Sequence, residues 1–235
     1  MTRFTGDAAP GGAPVWSPNG MQVAFASTVG GLVNLYVKQS SGAGIEESRR
    51  KTENTLFAQD WSQDGRFLLY GESSSKTGRD LWALPMTGNE RAPILVVNTP
   101  SEELNGQFHP DGSWVAYETN ESRRFEIVVQ PFPAPTGKWQ VSISGGIQPR
   151  WRADGRELYF VAPDGKLMAA SVTTTNETFT SGTPSALFSV TLAHGAGTNK
   201  QEYVVSRDGR FLINQPVDVS STTPITLILN WKPKQ

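Results

Sequence analysis

"WSQDG" at residues 61–65 decides the fold, because it does not stand alone. Near copies occur as "WSPNG" (16–20), "FHPDG" (108–112), "WRADG" (151–155) and, more worn, "VSRDG" (205–209). Aligned on Gly20, Gly65, Gly112, Gly155 and Gly209, they lie 45, 47, 43 and 54 residues apart. Asn19, Asp64, Asp111, Asp154 and Asp208 precede the glycines, and Trp16, Trp61, Phe108, Trp151 and Val205 stand four positions before them. An apolar run follows each glycine: "MQVAF", "RFLLY", "SWVAY", "RELYF" and "RFLIN". Asp or Asn suits the second corner of a type I turn, and glycine supplies the positive φ that re-enters a strand. Each unit therefore reads as a β-hairpin: a strand ending in a large apolar residue, a tight turn, and a second strand.

The units continue beyond the hairpin. A third strand is expected at "NLYVKQ" (34–39), "DLWALPM" (80–86), "FEIVVQPF" (125–132), "KLMAASV" (166–172) and "ITLILNW" (225–231). A fourth is expected near 48–53, 93–97, 138–142 and 185–190. Four strands in a repeat of roughly 45 residues is the blade of a β-propeller. The last unit lacks a fourth strand, and "TRFT" (2–5) belongs to no unit. Pairing the two would close the ring and remove two exposed sheet edges. The expectation is an all-β, five-bladed β-propeller of four-stranded antiparallel blades, closed by an N-terminal outer strand; the alternative is an open fragment of a larger propeller. Residues 1–235 form one domain, with blades at about 13–53, 58–97, 105–142, 147–190, and 202–231 plus 2–5.

Composition narrows the function classes. With 21 basic and 22 acidic residues, net charge is −1, so nothing draws the chain electrostatically to nucleic acid. The absence of cysteine excludes disulfides, thiolate metal sites and cysteine nucleophiles. The longest apolar runs, "ILVV" (94–97) and "ITLIL" (225–229), are far shorter than a membrane span, and "MTRFTGDAAPGG" has no signal-peptide-like apolar core. No membrane insertion is expected. The expected location is where the chain is made, or outside the cytoplasm if it has been cut from a longer parent.

"PVWSPNGMQVAFAS" with "NLYVK", and "FHPDGSWVAYETN", resemble the TolB-type, WD-like (PD40-type) propeller repeat. Residues 131–172, together with "PITLILNW", are similar to the C-terminal propeller attached to some bacterial serine/threonine protein kinases. The resemblance implies a sensing or protein-binding propeller, here without the kinase: no Gly-rich nucleotide loop, "HRD" or "DFG" occurs. It also implies that more blades can precede this chain.

Candidate chemistry is sparse. The Asp/Asn-Gly pairs could be carboxylates for calcium or acid catalysis, but each sits in its own hairpin turn, and the turn reading is the stronger. Trp16, Trp61 and Trp151 share one column and are expected to pack between blades; Trp82, Trp114 and Trp231 lie in apolar strands, and Trp139 is the tryptophan least committed to the core. His109 stands where three repeats have Ser, and His194 lies in "LAHGAGTNK" (192–200). Two distant histidines make no metal site, and no cofactor is expected.

Blade topology puts the Asp-Gly turns on one face and the more variable loops on the other, where binding residues concentrate on a rigid scaffold. The candidate binding residues are Arg79, Glu102, Glu103, Arg123, Arg124, His194 and Lys200. The functional expectation is a non-catalytic module for a protein or peptide ligand. Alternatives are a channel-sited lyase or hydrolase of sugars or lactones, and a structural fragment that oligomerises.

Overall fold

The structure, a computed structural model, describes Phe4 and residues 12–28, 31–89, 92–175, 178–198 and 200–216. The described residues contain strands and turns and no helix. Blade 1 is β1 (Gly12–Trp16), β2 (Gln22–Ser27), β3 (Asn34–Gln39) and β4 (Glu47–Arg50). Blade 2 is β5 (Thr55–Trp61), β6 (Phe67–Ser74), β7 (Gly78–Pro85) and β8 (Ile94–Val97). Blade 3 is β9 (Glu103–Phe108), β10 (Trp114–Thr119), β11 (Glu126–Pro131) and β12 (Trp139–Gln140). In each, sequential strands pair antiparallel in order.

Blade 4 is β13 (Ile147–Trp151), β14 (Glu157–Val161), β15 (Lys166–Thr174), β16 (Phe179–Ser181) and β17 (Ser185–Ser189). The long β15 pairs β17 along its first half and β16 along its second. The sequence reading anticipates β17 but not β16. This added hairpin swings Phe179 back onto Trp114 and Trp139, with ring centroids 5.6 and 6.1 Å apart. Blade 5 is described as β18 (Tyr203–Val205) and β19 (Phe211–Ile213). Trp231, "ITLILNW" and the "TRFT" pairing lie outside the described residues, Phe4 excepted. Phe4 meets the ring of Phe25 edge-on at 6.1 Å, and its carbonyl accepts from Lys38 Nζ at 2.8 Å.

The innermost strands follow one another in space: β1 packs against β5, β5 and β13 flank β9, and β18 adjoins β13. Each seam between successive blades holds its own apolar core. Ala24, Leu35 and Val37 of blade 1 meet Leu56, Trp61, Leu68 and Tyr70 of blade 2. Leu69, Leu81 and Ala83 meet Phe108, Val115 and Tyr117. Trp114, Ile127 and Val129 meet Trp151, Leu158 and Phe160, and Tyr159 and Leu167 meet Tyr203. Alternate residues of one strand thus serve opposite seams: in β6, Leu68 and Tyr70 face blade 1 while Leu69 faces blade 3. Burial on both faces explains why the second strands read as nearly continuous apolar runs.

The five repeated turns share one geometry. Each glycine has φ between 71° and 80° and donates its N–H to the carbonyl three residues back. The Asp or Asn is bracketed from the same turn: Ser17 Oγ donates to Asn19 at 2.8 Å, Ser62 Oγ to Asp64 at 2.7 Å and Ser206 Oγ to Asp208 at 2.5 Å. His109 takes that place in blade 3, with Nδ1 2.8 Å from Asp111. At Asp64, burial pushes the carboxyl up, but hydrogen bonds from the Arg66 N–H, Ser62 and the Arg66 guanidinium together hold it below the usual range.

One expectation in the tryptophan column is corrected. Trp61 and Trp151 are buried in seams, but Trp16 is 60% exposed. Each buried tryptophan packs against the blade before it, and among the described residues no blade precedes blade 1.

Candidate functional site

On the face opposite the repeated turns, connections between blades open the first strand of each new blade. They are residues 51–54, 98–102, 141–146 and 190–202, the last by far the longest. Long connections in compact repeats are where function tends to lodge. Residues 190–198 extend from blade 4 over blade 3 to blade 2. Arg79 Nη1, at the head of β7, donates to the Gly197 carbonyl at 2.9 Å, and Asn105 Nδ2, in β9, donates to the Thr198 carbonyl at 2.8 Å. The connection is a strap laid over the strand heads of blades 2 and 3, and the ground it covers is the mouth of this face.

Its base is fastened separately. Glu202, buried at the head of the last inner strand, accepts from the His194 N–H at 2.9 Å and from His194 Nδ1 at 2.9 Å. Lys200 Nζ lies 3.0 Å from His194 Nε2. An ammonium can only donate, so Nε2 accepts and the ring proton sits on Nδ1, facing the carboxylate.

The seven candidate residues divide into groups. Arg79 and Glu102 are joined, Nε to Oε2, at 2.5 Å, and with His194 and Lys200 they meet around the strap. Glu103 is buried beneath this face, with one oxygen accepting from Thr99 Oγ1 at 2.5 Å. Burial pushes its carboxyl up to about 7; Thr99 opposes the rise, and the Asp80 and Glu121 carboxylates add to it. Arg123 is an exposed loop residue at φ 70°. Arg124 donates from Nε to buried Glu126 at 2.5 Å and from Nη2 to the Ile143 carbonyl at 3.0 Å, away from the strap. Beside this second group lies an open groove of about 350 Å³, lined by Thr119, Glu121, Glu126, Lys138 and Gln140.

Asn105, Glu118, Gln148 and Glu202 were missed in the sequence reading. Glu118 is fully buried in β10, accepting from Asn105 Nδ2 at 3.0 Å and from the Gln148 N–H at 2.7 Å. Burial lifts its carboxyl to about 7, against those two hydrogen bonds and the Arg79 charge. Asn105 and Gln148 hold left-handed φ of 52° and 55°, where their inner strands bulge against the second strands. Side chains rarely adopt this conformation unless their surroundings impose it. A signal existed: seven positions before each repeat glycine come Ala13, Ala58, Asn105, Gln148 and Glu202, a column that turns polar in blades 3 to 5.

Two positions nearer the turn, a second column points to the axis. Arg150 Nη1 donates to Gln107 Oε1 at 2.7 Å, and its Nε donates to the Tyr203 carbonyl at 3.2 Å. Asp60 accepts from the Phe108 N–H at 2.7 Å, and burial raises it to about 6 against that bond and the Arg150 charge. The axis is thus occupied by polar side chains bonded to one another and to inner-strand backbone.

Four-stranded antiparallel blades around a polar axis, with one connection laid over the mouth, define a β-propeller, and its likeness is to TolB. TolB from Acinetobacter baumannii superposes with a TM-score of 0.61 at 17% identity, over 88% of this chain and 54% of that one. A protein described as TolB from Agrobacterium tumefaciens superposes with a TM-score of 0.57 at 13% identity, over 76% of this chain and 82% of that one. The chain therefore spans about half the length of the Acinetobacter protein. No family model and no curated protein matches the sequence. At these identities the likeness establishes the fold, a TolB-like propeller.

Proposed function

We propose that this chain is a non-catalytic interaction propeller that binds a protein or peptide at its strapped face. The observation that carries the reading is the convergence of Arg79 and Asn105, from two blades, on one loop at the mouth, whose base Glu202 fastens from within. A rigid array of blades holding polar groups beneath a loop is suited to recognition. The channel-enzyme alternative has less to support it, because Asp60, Gln107 and Arg150 already engage one another and the backbone. The finer reading is a five-bladed ring, with the blade boundaries given above, closed by residues 2–5 along 225–231. On this reading the chain is related to the sensor propellers of bacterial serine/threonine kinases. Buried Trp61 and Trp151, each seated against a preceding blade, support closure by indicating what exposed Trp16 would require.

The test is a random peptide library displayed on phage and panned against the whole chain. Enriched peptides are expected to lose at least tenfold in affinity when Arg79, His194 and Lys200 are all changed to alanine, and to keep it when Arg66 and Arg210, on the turn face, are changed. Peptides indifferent to the first set and sensitive to the second would overturn the reading.

A further inference from the structure

We infer that the mouth is a reading site for peptide main chain, filled in this structure by the chain's own residues 195–198. This deepens the proposed function and rests on the strapped face being the binding face.

The argument starts from the two donors. Arg79 has its Nε committed to Glu102 at 2.5 Å, which leaves Nη1 aimed at the Gly197 carbonyl at 2.9 Å. Asn105 has its carboxamide held by Glu118 at 3.0 Å, and the same nitrogen reaches the Thr198 carbonyl at 2.8 Å. Each donor is oriented from behind by a carboxylate and presents an N–H to a backbone oxygen, which is how a preorganised recognition group is built. The acceptors belong to consecutive residues, as the main chain of any bound segment would provide.

The strap offers little else to read. Its tip is Gly195, Ala196, Gly197 and Thr198. Gly197 has φ 80°, a backbone conformation that side chains rarely adopt, so glycine suits the position and leaves its carbonyl as the group presented. The contacts are therefore to backbone, in positions a different chain could supply. If the tip withdraws, buried Asn105 loses an acceptor, and an unmade hydrogen bond at a buried amide costs about 1–3 kcal/mol. That cost favours a replacement carbonyl over an empty mouth. The base, fastened through His194, Lys200 and Glu202, is distinct from the tip, so the tip can lift while its root stays fixed. The ligand class that follows is an extended or turning peptide segment of small residues, presenting two successive carbonyls and competing with residues 195–198.

The probe is a fluorescein-labelled peptide of residues 193–201, AHGAGTNKQ, titrated by fluorescence polarisation against the full chain and against a variant with 196–199 deleted. Binding to the deletion variant is expected to be at least tenfold tighter than to the full chain, and to fall at least tenfold when Arg79→Ala is added. Equal binding to both proteins, no binding to the variant at millimolar concentration, or indifference to Arg79→Ala would overturn the inference. A second measurement leaves the loop intact. In full-length Arg79→Ala, amide exchange at residues 195–198 is expected to accelerate at least tenfold while exchange in β10 stays unchanged, and unchanged exchange at the tip would overturn the inference. If library peptides still map to the strapped face when this probe fails, self-occupancy is lost and the binding face stands.

Discussion

The two faces of this propeller satisfy their polar groups in opposite ways. On the turn face, Asn19, Asp64, Asp111 and Asp208 bond within their own five-residue turns. On the strapped face, Arg79 reaches Gly197, Asn105 reaches Thr198, and Glu118 is bonded by Gln148 from the next blade. Groups satisfied within a turn make each repeat self-sufficient. Groups satisfied across blades depend on parts of the chain that can be exchanged, and exchangeable partners are what recognition needs.

The largest expected effect probes the one turn that departs from this rule. His109 Nε2 lies 3.2 Å from the Gly155 carbonyl of the next blade, and a Cβ on Gly155 would fall 2.2 Å from that nitrogen. Gly209, at φ 80°, has open space around it. Gly155→Ala should destabilise by about 3 kcal/mol and Gly209→Ala by about 1 kcal/mol, read by urea denaturation. Equal costs would mean that the third and fourth turns are not stitched together.

Next in size is Glu118→Ala. It removes the acceptor for the Gln148 N–H and for one Asn105 N–H, both buried. A loss of about 2 kcal/mol is expected, and it should be accompanied by faster amide exchange in the strap. A loss below about 0.5 kcal/mol would place the cross-blade bonds on a par with the exposed turn contacts.

The smallest effect concerns pH. Glu103 is raised from 4.5 to about 7, so between those values the folded chain keeps a proton that the unfolded chain has lost. Its contribution to stability is fully present below pH 4.5 and is lost as pH rises through about 7. Glu103→Gln should raise the stability at pH 8, read by urea denaturation, and flatten its change between pH 5 and 8, by about 1 kcal/mol or less. An unaltered pH profile would remove Glu103 from the account.

The turn face was legible in the sequence because its chemistry is local. "SQDG" carries its hydroxyl, carboxylate and glycine within four residues, and each does in the structure what that spacing demands. The third strands were equally legible, since "NLYVKQ" coincides with β3. The strapped face was legible only in outline. Loop variability picked out Arg79, Glu102, His194 and Lys200. It could not show that Arg79 meets a carbonyl in a loop two blades away, nor that Arg124 turns aside to Glu126. Asn105 escaped notice because "EELNGQ" is too polar to read as a buried strand, and Glu118 because one carboxylate near the end of an apolar run becomes meaningful only when the bulge at φ 52° turns Asn105 toward it and the strap. Phe179 escaped for a related reason: "TTTNETFTSG" reads as loop until its hairpin folds Phe179 onto Trp114.

The joints between successive blades are not equivalent, and cutting the chain between them would expose the inequality. Between the third and fourth blades lie the imidazole of His109 on Gly155, the indole N–H of Trp151 on the Gln107 carbonyl at 3.2 Å, and the aromatic ring of Phe179. Between the first and second, the linkage is apolar packing with the Leu56 N–H on the Val33 carbonyl at 3.0 Å. A break near residues 51–54 parts a seam held by apolar packing, whereas a break near 141–146 asks the most cross-linked joint among the described residues to hold without covalent help.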